Sequence, residues 1–593
     1  EVPLDFELED CKYMGYKPEE YQKELEELEF YSLLKKLDFS VVKEKKEEKL
    51  IIEDISKFQK KDFSFYVETR GSVYSKSTIL GVGIYDGKKG YYIDASELEQ
   101  YHDLFCNDFS KYTYDLKRCM VVCKNIDFKH TEFDTMIAAY LLDYVVKDDI
   151  SFLARSFDYN IPNYESLYGS RKRPKECSLE DLKEVCCLKA KFIYETRERL
   201  LKELEENEEM DLFVNIEMPL TVVLADMENT GIRVDKAYLK EVEVTLDKQM
   251  KDIEQDIYEL AGTTFNIMSP VQLAKVLFED LQIPYPKKVK DNKYSTSKDI
   301  LDKITFVHPI VEKVLEYRTL AKLYTNYAVG LQNEIRDDGR IHTIFTQTLT
   351  RTGRLSSIEP NLQNIPARSD YSEMIRKAFL PDTDSVLLSS DYSQVELRIF
   401  AHMSHEANLI QAFKDEKDIH TKTASDIFHV PMEEVTKNMR RNAKAVNFGI
   451  LYGISGFGLS EDLGIDISSA KKFIDNYLET YPGIQDYMEE AKALAYRNGY
   501  VKTLMNRKRV IEELSSKNYM IRSSGERMAL NTPIQGTAAD ILKKAMVEID
   551  QEFEKRHLKS KMLIQVHDEL VFNVLNGELE QVKEIVRNIM EGL

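Results

Sequence analysis

The chain has 593 residues, 43% hydrophobic and 31% charged, with a net charge of −21. That length exceeds what one hydrophobic core supports and predicts two principal domains, the larger one subdivided. It contains no apolar run of about 18 residues or more and no charged-then-apolar leader, which argues against a membrane helix and a secretory signal and leaves the cytoplasm as the expected location.

Taken in order, the start at Glu1-Val2-Pro3 and the stop at Gly592-Leu593 are expected to be trimmed ends of a longer chain. Leu25, Leu28, Tyr31 and Leu34 recur at helical spacing within Tyr21 to Lys36, and strand-like runs follow at Phe63 to Val67 and Ile79 to Ile84. An α/β first domain is predicted, closing with the charged helical stretch Glu195 to Glu209, with a boundary near residue 208. Its seven cysteines, Cys11, Cys106, Cys119, Cys123, Cys177, Cys186 and Cys187, match no zinc spacing and read as reduced structural thiols. Lys236 to Leu260 and Ile310 to Ile335 read as long helices bridged by a lysine-rich tip, Tyr285 to Lys293.

The acidic balance argues against a nucleic-acid partner, because phosphate binding relies on lysine and arginine. Basic runs interrupt it: Arg351 and Arg354 flank a glycine, Arg440 and Arg441 lie in Lys437 to Lys444, and Arg507-Lys508-Arg509 ends a further run from Lys502. Each is equally compatible with a solvated face.

Val386-Leu387-Leu388 reads as a buried strand that delivers Asp391 to a strand-to-helix turn, with Gln394 to Met403 helical. Ser393 and Glu396 also have the spacing of a capping box, so a purely structural reading stands beside the chemical one. Two strand-like runs in Met562 to Val574 are joined at His567-Asp568-Glu569, a hairpin tip with adjacent acids. Paired carboxylates with apolar flanks need a compensating cation, and Mg²⁺ suits oxygen ligands that leave room for phosphates. Arg440, Lys444, Phe448 and Tyr452 recur every four residues, a stripe suited to a triphosphate at one end and a base and sugar at the other, or to the wet edge of an amphipathic helix.

Asp391-Tyr392-Ser393-Gln394-Val395-Glu396-Leu397-Arg398, the stripe Arg440 to Gly453, and Gln565-Val566-His567-Asp568-Glu569-Leu570 resemble, in order and spacing, the three polymerase motifs of the family A DNA polymerases, the bacterial DNA polymerase I group. Thr352-Gly353-Arg354-Leu355-Ser356-Ser357, Asn361 to Pro366, and Asn531 to Asp540 resemble further family motifs. The resemblance implies an α/β and α+β multidomain fold: an RNase H-like exonuclease-type domain (1–208), then a right-hand polymerase domain (209–593) with a thumb at about 236–332, fingers at about 406–524 and a palm in the remainder. It implies template-directed addition of dNTPs to a primer 3′-hydroxyl by a monomer, with primer-template DNA as partner and two Mg²⁺ ions, or Mn²⁺ in their place. By the same resemblance Asp391 and Asp568 are metal ligands and Glu569 an auxiliary acid. Lys444 and Arg440 hold the triphosphate, Lys444 also acting as a catalytic proton donor. Phe448, Tyr452, Gln394 and His420 surround the nucleotide, and Glu396 crowds a ribose 2′-hydroxyl. Arg354, Arg527, Asn531, Gln535 and His567 contact the primer-template.

The first domain departs from the family pattern. Phe63 to Thr69 resembles the first exonuclease motif with Tyr66 in place of aspartate, leaving Glu68; Lys129 and Lys191 are matched to the aspartates of the second and third motifs. Ammonium groups repel divalent ions, so this domain is expected to be catalytically dead. The competing expectations are a noncatalytic DNA-binding scaffold, and a nuclease using Glu68 with Asp127, Asp134 or Asp181.

Overall fold

The computed structural model describes residues 50–593, apart from 60, 72, 171–172, 287–293 and 366–369, together with Glu24 and Leu25. Ile52–Leu593 forms one compact unit, which carries all the elements named below. The predicted helix at Tyr21 to Lys36 lies outside the described residues except at Glu24 and Leu25, as does most of the lysine-rich tip. Among the described residues no helix is long and apolar enough to cross a membrane.

A six-stranded mixed sheet opens the described chain: β1 (Ile52–Glu53), β2 (Phe63–Arg70), β3 (Thr78–Tyr85), β4 (Gly90–Asp94), β5 (Lys111–Thr113) and, after helix α1 (Leu116–Val122), β6 (Thr131–Asp134), in the order β1-β4-β3-β2-β5-β6. β2 is inner and buried along nearly its whole length, so it reads as a continuous apolar run rather than an alternation. Phe65 stacks on Phe128 at 5.2 Å and meets Phe105 edge-on at 5.4 Å. Helix α2 (Thr135–Leu141) follows β6, and the 28-residue α3 (Leu179–Glu206) starts where Ser178 accepts a bond from Asp181 N and packs across β2 and β3. At Gly83 the helix backbone passes so close that a Cβ would lie 2.2 Å from the Cys186 carbonyl, which explains a glycine inside β3.

The second part begins with α4 (Met218–Thr230) and the long α5 (Lys236–Ala261). The α5 stripe Leu239, Val242, Leu246, Ile253 and Ile257 recurs at helical spacing and packs into one core with Ile310, Val311 and Val314 of α6 (Pro309–Leu323). Next come strand β7 (Ser385–Asp391) and helices α7 (Val395–Met403), α8 (Ile419–Phe428), α9 (Lys437–Leu451), α10 (Ile467–Thr480) and α11 (Pro482–Asn498). The short hairpin β8 (Tyr500–Lys502) and β9 (Lys508–Val510) leads into the 37-residue α12 (Tyr519–Lys555), which accommodates Pro533. Strands β10 (Lys561–Val566) and β11 (Glu569–Leu575) complete an antiparallel sheet in the order β7-β11-β10, and α13 (Leu579–Gly592) closes the chain. Leu570, Phe572 and Val574 alternate toward a core shared with Leu542, Met546 and Ile549 of α12 and Val582 and Ile585 of α13. That packing fixes the sheet whose edge carries the acids.

Candidate active site

Asp391 is the last residue of β7 and stands directly opposite Glu569, the first residue of β11. Directly opposed strand residues share a face, so the two carboxylates stand side by side. Asp568 occupies the β10–β11 turn, where His567 has a left-handed φ of 55°, and the Asp568 carbonyl accepts a bond from Tyr392 N at 3.2 Å. Asp391 and the adjacent pair Asp568 and Glu569, far from it in sequence, thus meet at one sheet edge. Partial burial and the charges of Asp568 and Glu569 raise the Asp391 carboxyl above the usual aspartate range, although it stays open to solvent. No lysine or arginine among the described residues pairs with any of the three, while Ser389 donates to Glu569 at 2.5 Å. Among the described residues no three His, Cys, Asp or Glu side chains are arranged as a ready-made metal cage. An oxygen-only, anionic donor set of this kind fits a hard divalent ion whose remaining positions belong to water and substrate phosphate.

Glu396 does not cap α7: the N-cap is Gln394, at φ 54° and without a side-chain cap bond. The largely buried Glu396 instead accepts from the Tyr452 hydroxyl at 2.7 Å and pairs with the Arg354 guanidinium. Arg440, Lys444 and Phe448 lie along α9, with Tyr452 as its C-cap. The Lys444 ammonium lies 6.0 Å from the Phe448 ring centroid and has no ion-pair partner among the described residues. Arg440 is engaged edge-on by Asp418, through Nε at 3.1 Å and Nη2 at 2.7 Å. His420 is buried beside Phe448, with ring centroids 5.7 Å apart, and its Nδ1 lies 3.1 Å from Asn447 Nδ2. Burial, with Arg440 and Lys444 nearby, pushes the imidazole down to about 4 against the pull of Asp418, so it is neutral at pH 7. Asn447 stands inside the Arg440 to Gly453 stripe without an expected role, and Asp418 has no sequence expectation, although the Asp-x-His step at the start of α8 signals it.

On α12, Arg527, Asn531 and Gln535 recur every four residues and share one face. The Arg527 stem lies against Gly453, Asn531 Oδ1 is buried without a partner, and His567 is exposed. Arg354 and His567 line one small cavity with Gln565, Lys543 and Met546. A concavity of about 780 Å³ lies elsewhere, beside His102, Asp226 and Asp550; Asp127 lines it, and none of the residues expected at the polymerase site does.

The basic run Lys502 to Arg509 is consumed within the protein. Lys502 pairs with Glu208 at 2.7 Å, and Lys508 Nζ donates to Asn207 Oδ1 at 2.8 Å. Arg507 is buried against Glu217 and Asp540, Lys543 reaches the same Glu217 oxygen at 2.7 Å, and Thr503 donates to Asp540 at 2.7 Å. This cluster had no counterpart in the sequence reading, although Asp540 stands inside a quoted motif.

The family model for DNA polymerase family A matches residues 236–593. The chain belongs to DNA polymerase family A. A model for the ribonuclease H-like domain of DNA polymerase I matches residues 65–196 of this polymerase, so both halves of the expected architecture are present. The polymerase is 42% identical over 610 residues to DNA polymerase I of Bacillus subtilis (strain 168), covering 100% of this chain and 69% of that one. Against DNA polymerase I of Geobacillus stearothermophilus it is 40% identical over 608 residues, with 100% and 69% covered. Among solved structures it resembles the POL domain of Pol1 from M. smegmatis in complex with DNA primer-template and dNTP, with a TM-score of 0.82 and 34% identity over 89% of this chain and 92% of that one.

In the polymerase's first domain two residue assignments need correction. Lys191 does not meet Glu68; it lies 3.9 Å from Glu195, one turn along α3. The lysine that reaches Glu68 is Lys189, at 2.6 Å and fully buried, two residues earlier and therefore on a different face of the helix. Lys129 is exposed on a turn beside Asp127, whereas the cation of α1 that lies over Tyr66 is Arg118, 5.8 Å from the ring. Lys189 lies 4.7 Å from the Tyr66 ring, and the Tyr168 hydroxyl donates to Glu68 at 3.1 Å. Burial pushes the Tyr66 hydroxyl up. The three alternative acids are dispersed: Asp127 is exposed, Asp181 bonds Ser178, and Asp134 caps α2. Burial and Asp115 push Asp134 up to about 7, although it accepts bonds from Asp115 N and Leu116 N.

Proposed function

We propose that the chain extends a primer 3′ end with deoxynucleotides selected by a template strand, at the edge formed by Asp391, Asp568 and Glu569. The observation that carries the reading is the gathering of these carboxylates with no lysine or arginine among the described residues paired to them. The residues fit a pair of Mg²⁺ ions, or Mn²⁺, held through Asp391 and Asp568, which when bound would favour loss of the primer hydroxyl proton and offset charge on the departing pyrophosphate. Lys444, without a carboxylate partner among the described residues, is suited to bind the triphosphate and deliver a proton to the pyrophosphate oxygen. Arg440 adds a second cation on the same stripe, and neutral His420 retains a ring N–H for a phosphate oxygen. Phe448, Tyr452 and Gln394 shape the nucleotide pocket. Arg354, Arg527, Asn531, Gln535 and His567 hold the primer-template, and the partition into thumb, fingers and palm follows the ranges given above.

Extension of a primed single-stranded template with Mg²⁺ tests this. Synthesis should stop wherever the complementary dNTP is withheld; a chain that binds the DNA without extending it is a scaffold instead.

Glu396, fixed by Tyr452 and Arg354, presents a wall where a 2′-hydroxyl would enter. Glu396→Ala should raise ribonucleotide use relative to dNTP by about tenfold or more, since discrimination by exclusion is lost with the excluding group. An unchanged ratio in competitive incorporation argues against the role.

The first domain is proposed to lack 3′–5′ exonuclease activity, because Lys189 already neutralises Glu68 in a buried pair. A mispaired primer incubated with Mg²⁺ and no dNTP should keep its length. Shortening that persists in Asp568→Ala would overturn this.

A further inference from the structure

We propose that the first domain positions Arg354 for catalysis by clamping the turn Thr350 to Arg354, a function separate from its exonuclease-like site. This rests on the reading of Arg354 as a primer-template contact. Tyr140, on α2, donates its hydroxyl to the Thr350 carbonyl at 2.6 Å. Asp143, just beyond α2, accepts from Arg351 Nη1 at 2.7 Å with one oxygen and from Val510 N at 3.1 Å with the other. A single carboxylate therefore ties the turn to hairpin β8–β9.

The turn is held from within and beneath as well. Thr350 Oγ1 donates to the Arg354 carbonyl at 2.6 Å, and Gly353 has a φ of 82°. A Cβ at Gly353 would lie 2.6 Å from Arg507 Nε, so the buried guanidinium is the floor of the turn. The Tyr140 ring lies 6.0 Å from that guanidinium, against the same floor. From this platform Arg354 reaches Glu396 and the cavity shared with His567. A direct chain of contacts thus runs from α2 to the nucleotide-selecting glutamate. Loosening the turn shifts an arginine that has to be placed to within a fraction of an ångström.

The test is single-nucleotide addition by the full chain under single-turnover conditions. Tyr140→Phe combined with Asp143→Asn should slow addition about tenfold, with dNTP affinity altered less than about twofold. In an Arg354→Ala background the same pair of changes should add less than about twofold, because the effect is transmitted through that arginine. Arg351→Gln, a change at an exposed side chain, breaks the same ion pair from the other side and should reproduce part of the loss even if the double variant folds poorly. The proposal is overturned if these variants extend at the parental rate, or if their loss is the same with and without Arg354. Failure of the unaltered chain to extend at all would instead remove the polymerase reading.

Discussion

Asp568→Ala should reduce nucleotide addition by at least about a thousandfold, and Asp391→Ala likewise, with primer-template binding within a few-fold of the parent. Asp391 ends β7 and Asp568 lies in the β10–β11 turn, brought together only by the register that sets Asp391 opposite Glu569. Neither supports the core, since Asp391 is exposed and Asp568 lies in a turn. Removing either should leave unfolding temperature nearly unchanged, or raise it, because it relieves like-charge repulsion. Rapid-quench extension with a matched primer, alongside a binding measurement, separates chemistry from affinity. Near-normal extension by either variant would refute the assignment.

The second large effect is on stability and concerns Glu217. Its carboxylate is wholly buried, and although burial alone would raise it, Lys543 and Arg507 hold it down at about 2. Lys543 moves against this pairing, down from the usual lysine range, since burial costs it more than Glu217 returns. Glu217, which collects two cations, is the member whose ionisation the fold enforces. A carboxyl lower when folded than its ordinary 4.5 stabilises the fold above about pH 4.5, and that contribution is lost as pH falls toward 2. Glu217→Gln should cost about 3–5 kcal/mol at neutral pH by leaving two buried cations to Asp540 alone. Denaturant unfolding at pH 7 and pH 3 checks both statements: the gap between parent and variant should narrow at pH 3, and an equal gap would rule out the charge as its source.

The acids were legible in the sequence because each lies in a short contiguous motif whose apolar flanks show the strand that delivers it. Asp391 ends a run of Val and Leu, and Asp568 interrupts two such runs. Glu396 was ambiguous for a physical reason: its spacing from Ser393 is that of a cap, and only the fold brings Arg354 and Tyr452 to it across gaps of 42 and 56 residues. The basic run ending in Arg507-Lys508-Arg509 reads as a charged surface in one dimension, yet Arg507 is buried because acids from α12 and from the turn before α4 converge on it. Lys189 and Lys191 are equivalent in composition and differ only in the helix face they occupy, which depends on how α3 sits over β2. The residues around Lys129 resemble the second exonuclease motif, but the turn that exposes it is set by tertiary packing.

The buried pair of Glu68 and Lys189 has a practical consequence. A positive charge that is part of the polypeptide cannot be stripped away by EDTA, as a bound ion can. Chelation should therefore silence synthesis while leaving the amino-terminal sheet folded, and adding metal back should restore activity at once, with no refolding step.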